Sequence, residues 1–405
     1  MRLNILGDLV SLSLGGEIHH SPFASPPLTF QPMKCEHILM QRFGFIIHPL
    51  SARRDMARKY PIARFLPERL VEGLVKRIPP KMVSHITGVK SIAGPQAEGW
   101  FVGCPLTPRQ FLELPEKFVI SRITQAAKIA QDLGAGIVGL GAFTSVVGDA
   151  GISVANGVDI AVTTGNTYTI ATALEAAHKA AGMMGIDLTS ATAAVVGASG
   201  SIGSACARLL APEVPRLILV GRNTARLEPL AEELRPQTEV VCSQEMDSAL
   251  PQADIIITVT SAVESVIHPE HLKPGSVVCD VARPRDVSVQ VAKARPDVLV
   301  IEGGVVAVPG EVEFNFNFGF PPRTSYACMA ETMILALEGR YEPFSLGRNL
   351  EIAKVREISA LAAKHGFKLA GFRCFEKAVT DEQIAQVRLA AEKALRKGLQ
   401  QNAVR

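Results

Sequence analysis

The feature that most constrains this fold is a glycine-rich turn that joins an apolar segment to a helical one. Residues 193–196, Ala-Ala-Val-Val, predict a buried strand, and Ser204 to Leu210 predict a helix. Glycines at such a junction let the backbone approach a pyrophosphate, whose charge faces the free N–H groups of the helix. An ordinary strand-to-helix turn is the alternative, because the G-x-x-G-x-x-G spacing differs from the usual G-x-G-x-x-G. We expect dinucleotide binding by residues of this turn, namely Gly197, Ser199, Gly200, Ser201, Ile202 and Gly203.

Short apolar segments alternate with helical segments along most of the chain. Strands predicted near 217–220, 255–259, 277–280 and 298–301 are separated by helices, which is typical of a parallel sheet covered on both faces. The same alternation over residues 41–185 predicts a separate open α/β sheet. The predicted fold class is therefore α/β with two domains, an N-terminal open sheet and a Rossmann-like doubly wound parallel sheet, followed by C-terminal helices.

Four parts are predicted along the chain. Residues 1–40 are punctuated by proline and serine and predict a poorly ordered extension, 41–185 a substrate-binding domain, and 186–322 the dinucleotide-binding domain. Residues 323–405 predict helices that partly pack back on the first domain, beginning with a helix at about Thr324 to Leu337. The tail carries an amphipathic helix opened by the capping pair Thr380 and Gln383.

Charge and cysteine usage exclude several classes of protein. A formal net charge of +3 gives no support for nucleic-acid binding, which needs a concentrated basic face. No apolar run reaches the roughly 18 residues of a membrane-spanning helix, so no transmembrane segment is expected. The seven cysteines lack C-x-x-C spacing and predict no metal site, only reduced thiols in a cytoplasmic protein. They stand at positions 35, 104, 206, 242, 279, 328 and 374.

The residues after the predicted strand at 217–220 bear on the choice of dinucleotide. Arg222, Asn223 and Arg226 follow this strand, and no carboxylate precedes Glu228. A protein that prefers NAD usually places a carboxylate here for the ribose hydroxyl, whereas arginines suit a 2′-phosphate, so the sequence predicts NADPH. Solvated arginines at a helix start are the alternative.

Two other strand ends could approach the same cofactor. We expect contacts from Thr260 and Ser261 after one strand and from Gly303 and Gly304 after another, with plain turns as the alternative.

Cys328 is the candidate nucleophile. It follows Pro321-Pro322 and would lie in the first turn of a helix capped by Thr324 or Ser325. A helix N-terminus and the nearby Arg323 favour a thiolate over a thiol. A buried structural cysteine is the alternative, and Cys206 and Cys279 exemplify it.

Ordered stretches between Phe43 and about Phe367 resemble the cyanobacterial-type, aldehyde-forming long-chain acyl-[acyl-carrier-protein] reductases. The matching stretches are Phe45–Leu50, Gly139–Ser145, Thr163–Thr167, Gly185–Leu188, Gly197–Gly203, Leu250–Ile256, Ala327-Cys328 with Ala330-Glu331, Phe344–Asn349 and Lys364–Phe367. The resemblance implies that Cys328 takes an acyl group from acyl-carrier protein or acyl-CoA and that NADPH reduces the resulting thioester to a fatty aldehyde. Met329 and the loop Asp280–Arg285 depart from the family pattern, which leaves acyl length and carrier preference open.

This chemistry needs donors for a thiohemiacetal oxyanion. Thr164, Asn166 and Thr167 are the predicted donors, although they could equally cap the following helix. His48 is a candidate proton donor, with a hydrogen-bonded structural histidine as the alternative. Basic helices at 51–59 and 68–81 could meet an acidic carrier protein or be solvated faces.

Two other functions remain open at this point. One is an oxidoreductase similar to shikimate or amino-acid dehydrogenases, which transfers hydride without a covalent intermediate. The other is a non-catalytic NADPH-binding protein. The sequence also leaves open whether copies of the chain form a homo-oligomer.

Overall fold

The computed structural model describes residues 40–57 and 60–403, with the side chains of 398, 399 and 401–403 left undescribed. The predicted extension at 1–40 lies outside the described residues except for Met40. The strands are β1 Gln41–Ile47, β2 Lys81–Lys90, β3 Gln96–Gly103, β4 Ile137–Leu140, β5 Ala161–Thr163, β6 Thr192–Val196, β7 Arg216–Val220, β8 Glu239–Ser243, β9 Ile255–Thr258, β10 Val277–Asp280, β11 Leu299–Glu302, β12 Val305–Ala307, β13 Thr324–Tyr326, β14 Lys368–Leu369, β15 Phe372–Cys374 and β16 Lys377–Val379.

The α-helices are α1 Ala52–Ala57, α2 Glu68–Val75, α3 Pro108–Glu113, α4 Glu116–Asp132, α5 Ile152–Ala155, α6 Asn166–Met184, α7 Ser201–Leu210, α8 Glu228–Leu234, α9 Met246–Ala249, α10 Val289–Ala294, α11 Ala327–Leu337, α12 Ile352–His365 and α13 Asp381–Ala403. Short 3₁₀ turns lie between several of them, including Pro61–Phe65. Among the described residues no helix combines the length and apolarity that crossing a membrane requires.

The second sheet has the strand order of a dinucleotide-binding fold. Its six parallel strands run in the order β11-β10-β9-β6-β7-β8, so the chain starts in the middle and winds outward to both edges. This order places a crevice at the carboxyl end of β6, where the winding direction reverses. The predicted α/β class and Rossmann-like sheet are therefore confirmed.

The first sheet has five strands in the order β2-β3-β1-β4-β5. Strands β3, β1, β4 and β5 are parallel, and β2 is an antiparallel edge strand. Helix α4 packs on one face, and Gly44 of β1 permits its close approach, since a Cβ there would stand 2.5 Å from the Cβ of Ala130. Helix α11 covers the other face.

The structure differs from the sequence-based elements at several points. Strand β2 was not predicted, because bulges between Met82 and Ser84 and between Ile86 and Val89 break the alternation of its side chains. Edge strand β8 was also missed, because its residues are only partly buried. The predicted helix at 324–337 begins three residues later, since Thr324–Tyr326 pairs with β12.

Replacing Gly44 by alanine should destabilise the protein, because the new methyl group overlaps Ala130 and forces β1 and α4 apart. We expect a loss of about 1–3 kcal/mol in the free energy of unfolding, measured in urea. Gly182→Ala is the matched control: nothing lies within 4 Å of its Cβ position, so alanine should add roughly 0.5–1 kcal/mol within α6. Equal stability of the two variants would contradict the packing described for β1.

Candidate active site

Cys328 lies where the carboxyl edges of the two sheets meet. On one side the backbone N–H of Ala327 donates to the carbonyl of Gly304, which follows β11 of the second sheet, at 2.7 Å. On the other side Gly165, which follows β5 of the first sheet, touches the cysteine so closely that a Cβ on Gly165 would overlap the Cα and Cβ of Cys328. Gly165 also has a φ of +73°, which favours glycine. The thiol is therefore held between a turn of each sheet.

A buried carboxylate one turn after the cysteine fixes this arrangement. Glu331 is fully buried and accepts hydrogen bonds from the hydroxyls of Thr163 (2.6 Å), Ser345 (2.6 Å) and Thr167 (2.5 Å). It also accepts one from the backbone N–H of Tyr168 at 2.9 Å. Four donors on one carboxylate offset the cost of burying its charge. Glu331 thereby ties α11 to the end of β5 and to the start of α6.

The three predicted oxyanion donors differ in what they contact. Thr167 donates to Glu331, and Thr164 donates to the carbonyl of Ser345, so both hydroxyls are already engaged. Asn166 is buried at the first position of α6, and within residues 40–57 and 60–403 the structure records no hydrogen bond for its side-chain amide. Helix α6 begins at Asn166, so Asn166 and Thr167 lie in its first turn.

The thiol of Cys328 is protonated at neutral pH in this state. Burial raises its pKa to about 12, although the N–H groups of Met329 and Cys328 and the charge of Arg283 lower the pKa in part. This raised pKa opposes the thiolate expected from the helix N-terminus. Arg323, the predicted source of positive charge, is exposed and paired with Glu311.

The cation that lowers the pKa of Cys328 is Arg283 and not the predicted Arg323. It lies in the loop after β10 and forms an ion pair with the buried Glu302 at 3.3 Å, and its Nε donates to the hydroxyl of Tyr326 at 3.4 Å. Its guanidinium also lies over the Tyr326 ring, 5.3 Å from the centroid. Since Tyr326 precedes Cys328 by two residues, this arginine brings a cation from the second sheet toward the thiol.

The glycine turn fits a dinucleotide phosphate. Gly197 has a φ of +85°, and a Cβ there would stand 2.6 Å from the carbonyl oxygen of Val259, while a Cβ on Gly203 would overlap the Gly197 backbone. Ser199 and Gly200 are exposed, and no side chain caps the first N–H groups of α7. Ser201 and Ile202 begin that helix and are partly buried. The residues therefore form a glycine cradle that leaves the helix N-terminus open to an anion.

The other predicted cofactor residues lie around the same crevice. Arg222 and Arg226 are exposed after β7, and Asn223 accepts a hydrogen bond from the N–H of Ala225. Glu228 pairs with Arg235. Thr260 follows β9 and donates to the buried Asp286 through its hydroxyl and its N–H, while Ser261 is exposed.

Gly303 and Gly304 are buried between β11 and β12. A Cβ on Gly303 would stand 2.9 Å from the sulfur of Cys279.

His48 adopts the structural role that was the alternative for it. The N–H of Phe143 donates to its Nε2 at 3.3 Å, and its Nδ1 lies 3.1 Å from the carbonyl oxygen of Pro49. Burial lowers the pKa of His48 to about 4, so the ring is neutral and both nitrogens are engaged.

Comparison with known proteins places this chain in a family. The family model for shikimate / quinate 5-dehydrogenase matches residues 175–301. The aminotransferase PigE of a Serratia species is 33% identical over 341 residues, which are 80% of this chain and 39% of PigE. The long-chain acyl-[acyl-carrier-protein] reductase of Synechococcus elongatus is 32% identical over 343 residues, which are 80% of this chain and 98% of that protein. The chain belongs to the long-chain acyl-[acyl-carrier-protein] reductase family.

Two solved structures are similar to this reductase-family chain at low sequence identity. L-tryptophan dehydrogenase from Nostoc punctiforme is 12% identical with a TM-score of 0.38, over 87% of this chain and 88% of that one. Glutamyl-tRNA reductase from Methanopyrus kandleri is 17% identical with a TM-score of 0.28, over 74% of this chain and 63% of that one. Family membership supports an oxidoreductase, and it supports NADPH, as the sequence predicted.

Sequence reasoning missed two groups in this reductase-family site. Glu331 is a lone carboxylate in the otherwise apolar helix Ala-Cys-Met-Ala-Glu-Thr-Met-Ile-Leu-Ala-Leu, and a charge at such a position is itself a signal of a buried network. Arg283 gave no such signal, because its approach to Tyr326 depends on how the loop after β10 folds.

Arg222→Asp should weaken NADPH binding much more than NADH binding, because only NADPH carries the ribose 2′-phosphate that a carboxylate would repel. A loss of roughly 10–100-fold in NADPH affinity corresponds to one charge-assisted hydrogen bond. Fluorescence titration of both cofactors measures it, with the exposed Lys293→Asp as a charge-matched control. Equal weakening of NADPH and NADH would reject the role of Arg222.

Alkylation of Cys328 by iodoacetamide should be slow at pH 7.5 and should rise steadily up to pH 10, because the thiolate forms only as pH approaches the raised pKa. Arg283→Gln removes a nearby cation and should slow the reaction further, whereas Arg323→Gln should leave it unchanged. Peptide mapping by mass spectrometry gives the rates. A plateau below pH 8 would contradict the protonated thiol.

Proposed function

We propose that this protein reduces a fatty acyl thioester, carried by acyl-carrier protein or CoA, to a fatty aldehyde with NADPH and through an acyl group on Cys328. The observation that carries the proposal is the contact between Gly165 and Cys328, because it holds a half-buried cysteine at the junction of both sheets.

The first step is a thiol–thioester exchange. The Cys328 sulfur bonds to the carbonyl carbon as the bond from that carbon to the carrier sulfur breaks, and the thiol proton leaves with the carrier as its free thiol. No separate base is required for the overall balance, which agrees with the neutral His48. Arg283 and the two backbone N–H groups favour negative charge on sulfur while the exchange proceeds.

The second step is reduction of the Cys328 acyl group. NADPH bound over the glycine turn would supply the hydride and would be released as NADP⁺. Addition of the hydride to the carbonyl carbon leaves negative charge on the carbonyl oxygen; collapse of this oxyanion breaks the bond from carbon to the Cys328 sulfur and releases the aldehyde. The sulfur takes a proton from solvent to regenerate the thiol. Asn166 is the proposed oxyanion donor, because the hydroxyls of Thr164 and Thr167 already donate elsewhere.

A row of aromatic rings supports a fatty acyl group over a polar one. Phe101, Phe318, Phe320 and Tyr326 follow one another with ring centroids 5.6, 5.5 and 4.5 Å apart. The row ends two residues before Cys328. Phe101 is fully buried, whereas Phe318, Phe320 and Tyr326 are partly exposed. Aromatic rings bury apolar area with little loss of rotamer freedom, so an acyl chain attached to Cys328 can lie along these three rings.

Incubation with acyl-CoA or acyl-carrier protein in the absence of NADPH should add one acyl mass to Cys328, located by peptide mapping. Addition of NADPH should then release the mass as aldehyde in one turnover. Cys328→Ala should abolish both signals, because no sulfur remains to accept the acyl group.

Cys374→Ala, a change at another partly exposed cysteine, is the matched control and should retain both signals. Aldehyde formation that survives Cys328→Ala would favour hydride transfer without a covalent intermediate, as in the shikimate-dehydrogenase-like alternative. Cofactor binding without any turnover would favour the non-catalytic alternative.

A further inference from the structure

A basic surface with apolar side chains lies after strand β1. An open depression is lined by Arg53, Arg54, Ala57 and Arg64. Ile62 and Phe65 lie on the 3₁₀ turn beside it and are 69% and 80% exposed. Leu70 and Leu74, on α2, are each 52% exposed. We call this set, Arg53, Arg54, Arg64, Ile62, Phe65, Leu70 and Leu74, the docking face.

The positive charge of the whole chain is concentrated in this segment. Residues 50–77 contain eight lysines and arginines and three carboxylates, a formal surplus of five, against +3 for the entire chain.

The three carboxylates of the segment all accept hydrogen bonds. Asp55 accepts from the N–H groups of Leu50 and Ser51, Glu68 accepts from the Ser51 hydroxyl, and the buried Glu72 accepts from the Thr107 hydroxyl. Glu68 lies 3.7 Å from Arg53 and Asp55 lies 4.0 Å from Arg54, and basic side chains still outnumber carboxylates in the segment by five.

The docking face lies at the same edge of the first sheet as Cys328. Its helices follow the carboxyl end of β1, and Glu72 of α2 bonds to Thr107, which follows the carboxyl end of β3. Gly165 follows the carboxyl end of β5, and β1, β4 and β5 are parallel neighbours. Two strand spacings, roughly 10 Å, separate the ends of β1 and β5. A partner seated on this face therefore holds a thioester on the side where Cys328 lies.

We propose that the docking face binds an acidic protein whose surface has apolar side chains at its centre, and that this protein carries the acyl thioester. The inference rests on the proposed function and assigns the surface through which its substrate arrives. The arginines of the docking face are complementary in charge to the carboxylates of an acidic partner. Apolar residues within a charged rim are typical of protein interfaces.

The form of the docking face favours a protein partner over a lipid surface. Its elements are short, since α1 has six residues and α2 has eight, and they fold around their own small core of Ala52, Val71 and Val75. A helix that lies in a membrane interface presents one long apolar face instead.

The test replaces Arg53, Arg54 and Arg64 together by glutamate in the full chain. Binding of acyl-carrier protein, followed by fluorescence anisotropy without NADPH, should weaken on the order of tenfold or more and lose its dependence on salt. Reduction of acyl-pantetheine, which has no carrier protein, should be unchanged, and this result also shows that the variant is folded. Phe65→Ser should weaken carrier binding with the same selectivity.

The matched control is Lys393→Glu, Arg396→Glu and Lys397→Glu together, which makes the same change of charge on exposed residues of α13. It should bind the carrier as the unmodified protein does. Unchanged carrier binding by the Arg53/Arg54/Arg64 variant, or equal loss in both triple variants, would overturn the inference. Binding of anionic vesicles that depends on these arginines, with no carrier binding, would also overturn it.

Failure of the proposed function gives a different pattern of results. If Cys328 is not acylated by acyl-pantetheine, the reaction proposed above is wrong, while the anisotropy measurement still decides whether the docking face binds the carrier. If acyl-carrier protein and acyl-pantetheine are both reduced and carrier binding does not depend on the arginines, only the docking inference fails.

Discussion

The carboxylate of Glu331 is the interaction on which the site depends. Hydrogen bonds to a charged acceptor contribute about 1.5–3 kcal/mol each, and here four donors converge on one buried side chain. The donors come from the end of β5, the start of α6 and the loop of Ser345. Because Glu331 lies one turn after Cys328, the same bonds that satisfy its charge also fix the height and rotation of the helix that carries the thiol.

This anchoring explains how a single thiol comes to lie between two sheets. Helix α11 packs on the first sheet, while its first N–H is held by Gly304 at the end of the second. Helix α6 starts beside Cys328 and then packs on the second sheet. The carboxyl ends of parallel strands are where backbone turns expose their polar groups, and both sheets direct those ends toward Cys328. The turn after β11 thus brings Cys328 to the carboxyl edge of the second sheet.

The state of the thiol follows from the same geometry. Burial keeps the pKa of Cys328 high, so the sulfur is neutral until an acyl donor is bound and its proton can leave with the departing thiol. Arg283 is held by the buried Glu302 and by Tyr326, which keeps its charge close without a direct ion pair to sulfur. An uncharged resting thiol is also less open to oxidation, because oxidants attack the thiolate.

The sequence by itself determined what depends on neighbours along the chain. Apolar runs located β6, β7, β9, β10 and β11, and the spacing of Gly197, Gly200 and Gly203 predicted a dinucleotide-binding turn, because strand and turn preferences are local. Proline followed by a capping segment was enough to place Cys328 near a helix start, within three residues of the observed boundary.

Only the tertiary structure decided which distant residues meet. Gly165 touches Cys328 across 163 positions of chain, and Thr163 reaches Glu331 across 168. No periodicity encodes such contacts, since they depend on how two sheets and two helices pack. Arg283, and not the expected Arg323, lowers the pKa of the thiol for the same reason, because the effect of a charge depends on its distance in space. Arg323 has a positive φ, and its side chain pairs with Glu311.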